Sequence, residues 1–318
     1  MELARGIEAL SHSMIHPVVT IGNFDGVHLG HQKIIQQAIE QAKAKGGQSI
    51  AYTFRPHPQV ALRPGTQVQL LTTYDEKLEI LESLGVDLVV EEPFSREFST
   101  IEPKTFFNEI ILRKLSAENI VVGYDFAFGK ERHGHLEALE HFCKGAGVGL
   151  FVVQPQRIEG EVVSSSKIRQ HLLSGEMEAA KRLMGRSFFY RGVVIKGEGR
   201  GHKIGFPTAN LKLEDKLALP YGVYATWAIH EGVIYPSVTN VGVRPTFQIG
   251  TRELPALVET HLLNTTLDLY GDPFEVRFEA RLRGEKKFAG VEQLKAQIQL
   301  DAADAERRLT KLPLQLTI

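Results

Sequence analysis

Cysteine, net charge and long apolar runs are all scarce in this chain, and each shortage removes a class of protein. Cys143 is the only cysteine among 318 residues. No intrachain disulfide can form, and a cysteine-based zinc site is excluded. Lys and Arg number 37 against 38 Asp and Glu, a net charge of -1. A broad nucleic-acid or acidic-membrane surface is therefore not expected, because such binding is driven by neutralising phosphate with basic side chains. Local basic pockets remain compatible with that balance. No apolar stretch reaches the length of a membrane span, and residues 1–12 lack the basic segment and apolar core of a secretory signal. The expectation is a cytoplasmic protein with no nucleic-acid and no membrane partner. Internal repeats and low-complexity segments are missing too.

What is present is the composition of a globular protein, 43% hydrophobic and 24% charged, at a length that suggests about two domains. Residues 1–184 alternate short β-like runs (18–21, 49–54, 87–91, 119–123, 149–153) with helical patterns (31–45, 75–84, 104–115, 135–144). That order predicts βαβ units and a Rossmann-like parallel sheet covered on both faces. Past Met184-Gly185 the texture changes. Runs at 188–196, 223–230, 233–239, 256–263 and 274–282 are bounded by glycine, proline or acidic turns, and 291–312 reads as one amphipathic helix. Residues 185–318 are thus expected to form an antiparallel β-barrel or sandwich with a terminal helix.

The most telling segment of the first half is Gly22-Asn23-Phe24-Asp25-Gly26-Val27-His28-Leu29-Gly30-His31, directly after the first apolar run. A strand, a glycine-bearing turn and a helix start expose backbone N–H groups to an anion. His28 and His31 lie three apart, so both can reach one phosphate, and the intervening glycine suits close ligand approach. A capped helix with two surface histidines is the plainer alternative. Polar punctuation also follows the other strands: Arg55-Pro56-His57-Pro58 and Tyr124-Asp125. In open α/β sheets ligands sit outside the strand carboxyl ends, so Asn23, Asp25, His57 and Asp125 should line one crevice. For His57, a turn histidine between two prolines is an equally plain reading.

A second signal closes this half: Ser164-Ser165-Ser166-Lys167-Ile168-Arg169. Hydroxyls at a helix start cap its N–H groups and also bind phosphate oxygens, and Arg169, one turn inside, adds a fork of donors. Alone this is equally an ordinary serine cap. In the second half, Gly197, Gly199, Gly201 and Gly205 alternate among basic side chains, a loop able to bring N–H groups onto phosphates. It lacks the spacing of a Walker motif. Next comes Pro207-Thr208-Ala209-Asn210-Leu211, where Thr208 and Asn210 point the same way along an extended segment. Their oxygens suit Mg²⁺ shared with nucleotide phosphates.

Together the two-histidine segment and the late serine cluster resemble the nucleotidyltransferase superfamily. The match extends to the bacterial bifunctional riboflavin kinase/FMN adenylyltransferase family, also called FAD synthetase. It is carried by residues 22–31, Thr53-Phe54-Arg55-Pro56-His57-Pro58, residues 122–129, residues 164–175, the run 205–211 and Glu259-Thr260-His261-Leu262-Leu263. Ser166 stands where the family more often has threonine. The resemblance implies riboflavin, FMN, FAD and ATP as substrates and products, with Mg²⁺ as cofactor. It further implies His28 and His31 as catalytic donors to the α-phosphate of ATP. Gly22, the serine cluster and Arg169 would hold phosphates, as would Gly199, Gly201 and Gly205 in the second site. By position Glu259 would be the general base of the kinase, and Thr208 and Asn210 its metal-positioning pair. From the residues alone, Glu259 is equally a solvent-facing strand carboxylate. Arg244, Arg281 and Arg283 are further phosphate candidates. A non-catalytic flavin carrier on the same scaffold is the contrasting expectation, separated by ATP turnover.

Overall fold

The computed structural model describes residues 1–10, 13–63, 68–197, 201, 204–213, 216–242 and 257–312. It divides into two compact units, Met1–Ser164 and Ser165–Ile318. The first is built on β1 (Glu2–Ala4), β2 (Val18–Ile21), β3 (Ser49–Arg55), β4 (Leu88–Pro93), β5 (Asn119–Gly123) and β6 (Gly149–Val153). All pair in parallel, in the order β1-β4-β3-β2-β5-β6. The strands read as near-continuous apolar runs because both faces of the sheet are covered. Val19, Ile21, Ile50, Tyr52, Leu88, Val90, Ile120 and Val122 share one core with Phe106, Phe107, Ile110 and Leu139. Their alternates Val18, Ala51, Val89 and Val121 face the helices on the other side.

Those helices are α1 (Leu29–Ala44) and α3 (Tyr74–Ser83), with the short α2 (Pro58–Leu62) between them. Thr73 and Glu76 close a reciprocal capping box at the start of α3. On the other face the expected helix 104–115 takes another form. A short α4 (Pro103–Thr105) runs into a π-helix, Phe106–Lys114, whose wide winding suits buried residues spaced four to five apart: Phe106, Phe107, Ile110, Ile111 and Leu115. The helix α5 (Leu136–Ala146) precedes β6, and a small hairpin of β7 (Arg157–Ile158) and β8 (Glu161–Val162) ends the unit. The chain winds outward from β2 through β3 to β4, then returns to β5 on the other side of β2. That reversal opens a crevice at the carboxyl ends of β2 and β5, where an open α/β sheet binds its ligand.

The second unit opens with α6 (Ser165–Ser174) and α7 (Met177–Met184). It continues as β9 (Phe188–Ile195), β10 (Ala209–Leu213), β11 (Gly222–His230), β12 (Val233–Gly242), β13 (Leu257–Leu262) and β14 (Pro273–Arg283). These close an antiparallel barrel in the order β10-β13-β12-β11-β14-β9, so of the two expected forms the barrel is the one adopted. Inside it, Tyr190, Tyr224 and Phe188 pack edge-on with one another or with Phe278, ring centroids 5.2–5.3 Å apart where edge-on. The interior hydroxyls satisfy one another: Thr226 lies 2.8 Å from both Ser237 and Thr239, and Thr239 2.9 Å from Thr260. The C-terminal helix, Val291–Leu309, covers the outer face with Ala305 and Leu309 against Val223, Ala225 and Val238.

The α6–α7 hairpin belongs to the barrel's compact unit through a buried carboxylate. Glu279 of β14, fully buried, accepts from Lys181 Nζ of α7 at 2.7 Å and from Ser187 Oγ at 2.5 Å. The change of texture at Gly185 therefore comes later in the chain than the division between compact units.

Candidate active site

The loop after β2 holds a backbone that ordinary side chains avoid. Phe24 (φ 49°) and Val27 (φ 35°) both have positive φ. For a β-branched or bulky residue this costs of order 1–3 kcal/mol and persists only where the surroundings enforce it. Here Phe24 and Val27 are buried, and Gly26 N donates to Thr72 Oγ1 at 3.2 Å. Asp25 is buried as well. Its Oδ1 accepts from Leu71 N at 2.9 Å and Thr72 N at 3.4 Å. Asp25, expected at the crevice wall, is turned inward and anchors the loop.

The loop delivers His28 to the N-cap of α1, where Nδ1 accepts from His31 N at 3.2 Å. An accepting Nδ1 means a neutral ring with its proton on Nε2, so the imidazole presents a fixed donor. The ring of His31 stacks on it, centroids 3.6 Å apart at 18°, and meets Phe24 edge-on at 5.5 Å. A side chain at Gly30 would press on this ring, since its Cβ would lie 3.2 Å from His28 Cε1 and Nδ1. Gly30 thus makes room for the His28 ring itself, whereas the sequence suggested room for a ligand. The remaining N–H groups of the α1 start and its dipole add to the donor field.

Around this centre the other expected residues take distinct positions. Gly22 directly follows β2, its N–H on Tyr52 O at 3.1 Å. Half-buried Asn23 offers its carbonyl to Thr53 Oγ1 at 3.2 Å. His57 caps α2 as His28 caps α1, its Nδ1 accepting from Gln59 N at 3.2 Å, while its own N–H reaches Tyr74 Oη at 2.8 Å. Asp125, past β5, is exposed. Sequence reasoning missed two features. A set of phenylalanines, Phe54, Phe94, Phe98, Phe126 and Phe128, gathers at the strand carboxyl ends, with Phe126 and Phe128 stacked at 5.4 Å. Lys77 of α3 is buried beneath the loop, with Nζ 2.9 Å from Thr53 Oγ1 and 3.4 Å from the carbonyls of Asn23 and Phe54. The phenylalanines were visible in the sequence as single letters; the lysine's burial was not.

The serine cluster straddles the division between the units: Ser164 ends the first, and Ser165 begins α6 in the second. Ser164 and Ser165 are half-buried, Ser166 is exposed, and Arg169 lies half-buried one turn along α6.

In the barrel the expected residues fall into register. Asn210 of β10 and Asn240 of β12 both stand directly opposite Glu259 of β13. Directly opposed residues share a face, so an amide, a carboxylate and an amide lie abreast on one face of the barrel strands, with Asn210 buried and the other two half-buried. Asn240 Nδ2 donates to Glu259 Oε2 at 3.4 Å. Asn240 went unnoticed as a site residue; only its pairing singles it out. Two of the loop's glycines lie against the Thr208 and Asn210 side chains. A Cβ at Gly201 would lie 3.3 Å from Thr208 Oγ1, and one at Gly197 would overlap the Asn210 amide. Gly205 (φ 87°) turns the chain into the strand, and Gly199 lies outside the described residues. His261, two residues beyond Glu259, donates from Nδ1 to the Pro207 carbonyl at 2.8 Å.

The arginine candidates fare differently. Arg283 pairs with Asp301 of the C-terminal helix, with Nε at 3.0 Å and Nη2 at 2.8 Å, and so braces that helix. Arg281 donates to the Tyr221 carbonyl at 2.8 Å, and Arg244 lies outside the described residues. Among the described residues no three His, Cys, Asp or Glu side chains are grouped to hold a metal ion.

Two family models match the chain in tandem, FAD synthetase over residues 11–167 and riboflavin kinase over residues 184–309. The bifunctional riboflavin kinase/FMN adenylyltransferase of Bacillus subtilis (strain 168) is 36% identical over 297 residues, covering 93% of each protein. Its counterpart in Escherichia coli (strain K12) is 35% identical over 307 residues, 96% of this chain and 97% of that one. A crystal structure described as a macrolide-efflux protein from Streptococcus pneumoniae superposes with a TM-score of 0.86 at 29% identity, covering 96% of this chain and 98% of its own. Among the described residues here, no helix is long and apolar enough to cross a membrane. With two tandem models and relatives aligned along nearly their whole length, this chain belongs to the family of bifunctional riboflavin kinase/FMN adenylyltransferases.

Proposed function

We propose that the two activities are divided along the chain, with residues 1–184 carrying FMN adenylyltransferase and residues 185–318 carrying riboflavin kinase, working in series in the cytoplasm. The reading is supported above all by one observation: a single chain holds two unrelated settings for phosphate chemistry. One is a stacked imidazole pair on a helix start; the other is a carboxylate between two amides on barrel strands.

In the kinase step, Glu259 takes the proton of the ribityl 5′-hydroxyl as that oxygen bonds to the γ-phosphorus of ATP. The bond to the β–γ bridging oxygen breaks, and ADP leaves. Asn240 orients the carboxylate by donating to Oε2. Thr208 and Asn210 would hold Mg²⁺ with the nucleotide, since hydroxyl and amide oxygens fit a hard cation that keeps phosphate and water ligands. When bound, the metal neutralises charge on the transferred phosphoryl group. Gly199, Gly201 and Gly205 let the loop approach the phosphates.

In the adenylyl step a phosphate oxygen of FMN attacks the α-phosphorus, the bond to the α–β bridging oxygen breaks, and pyrophosphate leaves. The attacking group is already an anion, so the protein supplies alignment and donors. His28 donates from Nε2 and His31 assists beside it. Gly22 and Asn23 border the nucleotide with Asp125, while Asp25 holds the loop. His57, fixed as a donor by its cap, serves the same crevice. Ser164, Ser165, Ser166 and Arg169 bind the β- and γ-phosphates. The phenylalanine set offers the flat apolar surface that an isoalloxazine ring needs.

Incubation of the pure protein with riboflavin, ATP and Mg²⁺, followed by chromatography of the flavins, is expected to show FMN and then FAD. Absence of both products contradicts the reading.

A further inference from the structure

We infer that Lys77 is a further positioning residue of the adenylyl-transfer site, its buried ammonium fixing the 22–28 loop and setting a positive charge beneath the phosphate-binding groups. The inference rests on the adenylyltransferase reading of the first half. Lys77 is 3% exposed, and its three donors meet three acceptors from two segments: Thr53 Oγ1 and the Phe54 carbonyl at the end of β3, and the Asn23 carbonyl after β2. Thr53 Oγ1 itself donates to the Asn23 carbonyl. One ammonium therefore ties the end of β3 to the loop that follows β2.

All three acceptors are neutral. Among the described residues no carboxylate lies within ion-pair distance of Lys77 Nζ, although Asp25 is near enough to favour its charge. Arg55 opposes that charge, and the Tyr74 ring lies 5.5 Å away. Burial pushes the Lys77 pKa down to about 8. A buried cation without an ion pair is costly to keep for stability alone. It gains a counter-charge when polyphosphate and the FMN phosphate gather at the loop above it, and it strengthens as those charges grow during transfer.

The linkage gives the idea a distinct pH window. With a folded pKa near 8 against 10.5 for an ordinary lysine, the unfolded chain binds more protons between these values. This group's contribution to stability therefore rises with pH across the window. Any decline in adenylyl transfer as Lys77 loses its proton occurs while that group's deprotonation favours the fold. Tyr74 stays protonated there, because burial raises its phenol above the ordinary 10.0. A general unfolding would also take the kinase reaction with it.

The test follows FMN-to-FAD conversion and riboflavin phosphorylation separately in the full-length protein between about pH 6.5 and 9.5, for the unmodified chain, Lys77→Gln and Lys77→Met. Expected is a fall in adenylyl transfer of the unmodified chain through a midpoint near 8. In Lys77→Gln that limb disappears and kcat/KM for ATP drops roughly 10- to 100-fold, as for loss of a charged hydrogen-bonding group. The kinase rate is expected to hold in all three. The inference is overturned if Lys77→Gln keeps the rate and pH profile of the unmodified chain, or if the unmodified chain shows no limb near that midpoint. If the unmodified chain makes FMN yet never FAD from FMN, the adenylyltransferase reading falls and takes this inference with it.

Discussion

In the first half the proposed site is made of donors: the Nε2–H of His28 and the N–H groups at the start of α1, with the Lys77 ammonium holding the loop that carries them. In the second half the corresponding row is dominated by oxygen, with Glu259 between Asn210 and Asn240. Both sites use ATP, so the contrast reflects the nucleophile. FMN brings its own negative charge to the α-phosphorus and needs only alignment and neutralisation. The ribityl hydroxyl is neutral and must lose a proton, which requires a base. A carboxylate set beside the attacking phosphate, as Glu259 is set for the hydroxyl, would repel the very anion that attacks. The folds differ accordingly. A parallel sheet brings helix starts to its carboxyl edge, whereas an antiparallel barrel brings side chains abreast on adjacent strands.

The sharpest way to break this comparison is Glu259→Ala. It is expected to slow riboflavin phosphorylation by roughly 10²- to 10⁴-fold, as for loss of a general base, with FMN-to-FAD conversion unchanged in the same preparation. Next comes the anchoring of α7 on the barrel. Lys181→Met leaves Glu279 buried with only Ser187 as a partner, an expected cost of about 3–5 kcal/mol readable by denaturant unfolding. In the first site, His28→Ala is expected to cost FMN-to-FAD conversion about 10²- to 10³-fold and spare the kinase. Part of that loss is the helix cap, worth about 1 kcal/mol. His28→Asn separates the two effects, because asparagine caps the helix without an imidazole donor. The smallest effect is expected at His261, whose single hydrogen bond holds the Pro207 carbonyl. His261→Ala should raise the ATP and Mg²⁺ concentrations needed by the kinase by an amount equal to about 0.5–1.5 kcal/mol, and His261→Asn should restore most of it.

How much of this was legible beforehand depends on how local each feature is. The runs 18–21, 119–123 and 149–153 were expected as strands, and β2, β5 and β6 occupy them. They are apolar on both faces, so burial writes itself into composition. β1 was not foreseen. It has three residues, two of them exposed, and exists through pairing with β4 some eighty positions away. The two-histidine segment and the Thr208–Asn210 pair stood out as short local patterns, whereas Glu259 was singled out only by the family resemblance of the run 259–263. Lys77 and Asn240 were not, since a buried lysine and an exposed one look alike until α3 packs against β3. The pairing of Arg283 was hidden for the same reason: nothing local reveals that Asp301 takes its guanidinium. Asp25 and Gly30 were picked out for ligand contact, and their nearest duties are to the loop and to the His28 ring.

The central claim is that each half of the chain binds its own triphosphate. Equilibrium titration of the full-length protein with a non-hydrolysable ATP analogue, in the presence of Mg²⁺ and both flavins, tests it most directly. The account expects two analogues per chain, one of them lost in His28→Ala. Saturation at a single analogue per chain, with both reactions active in the same sample, would contradict it.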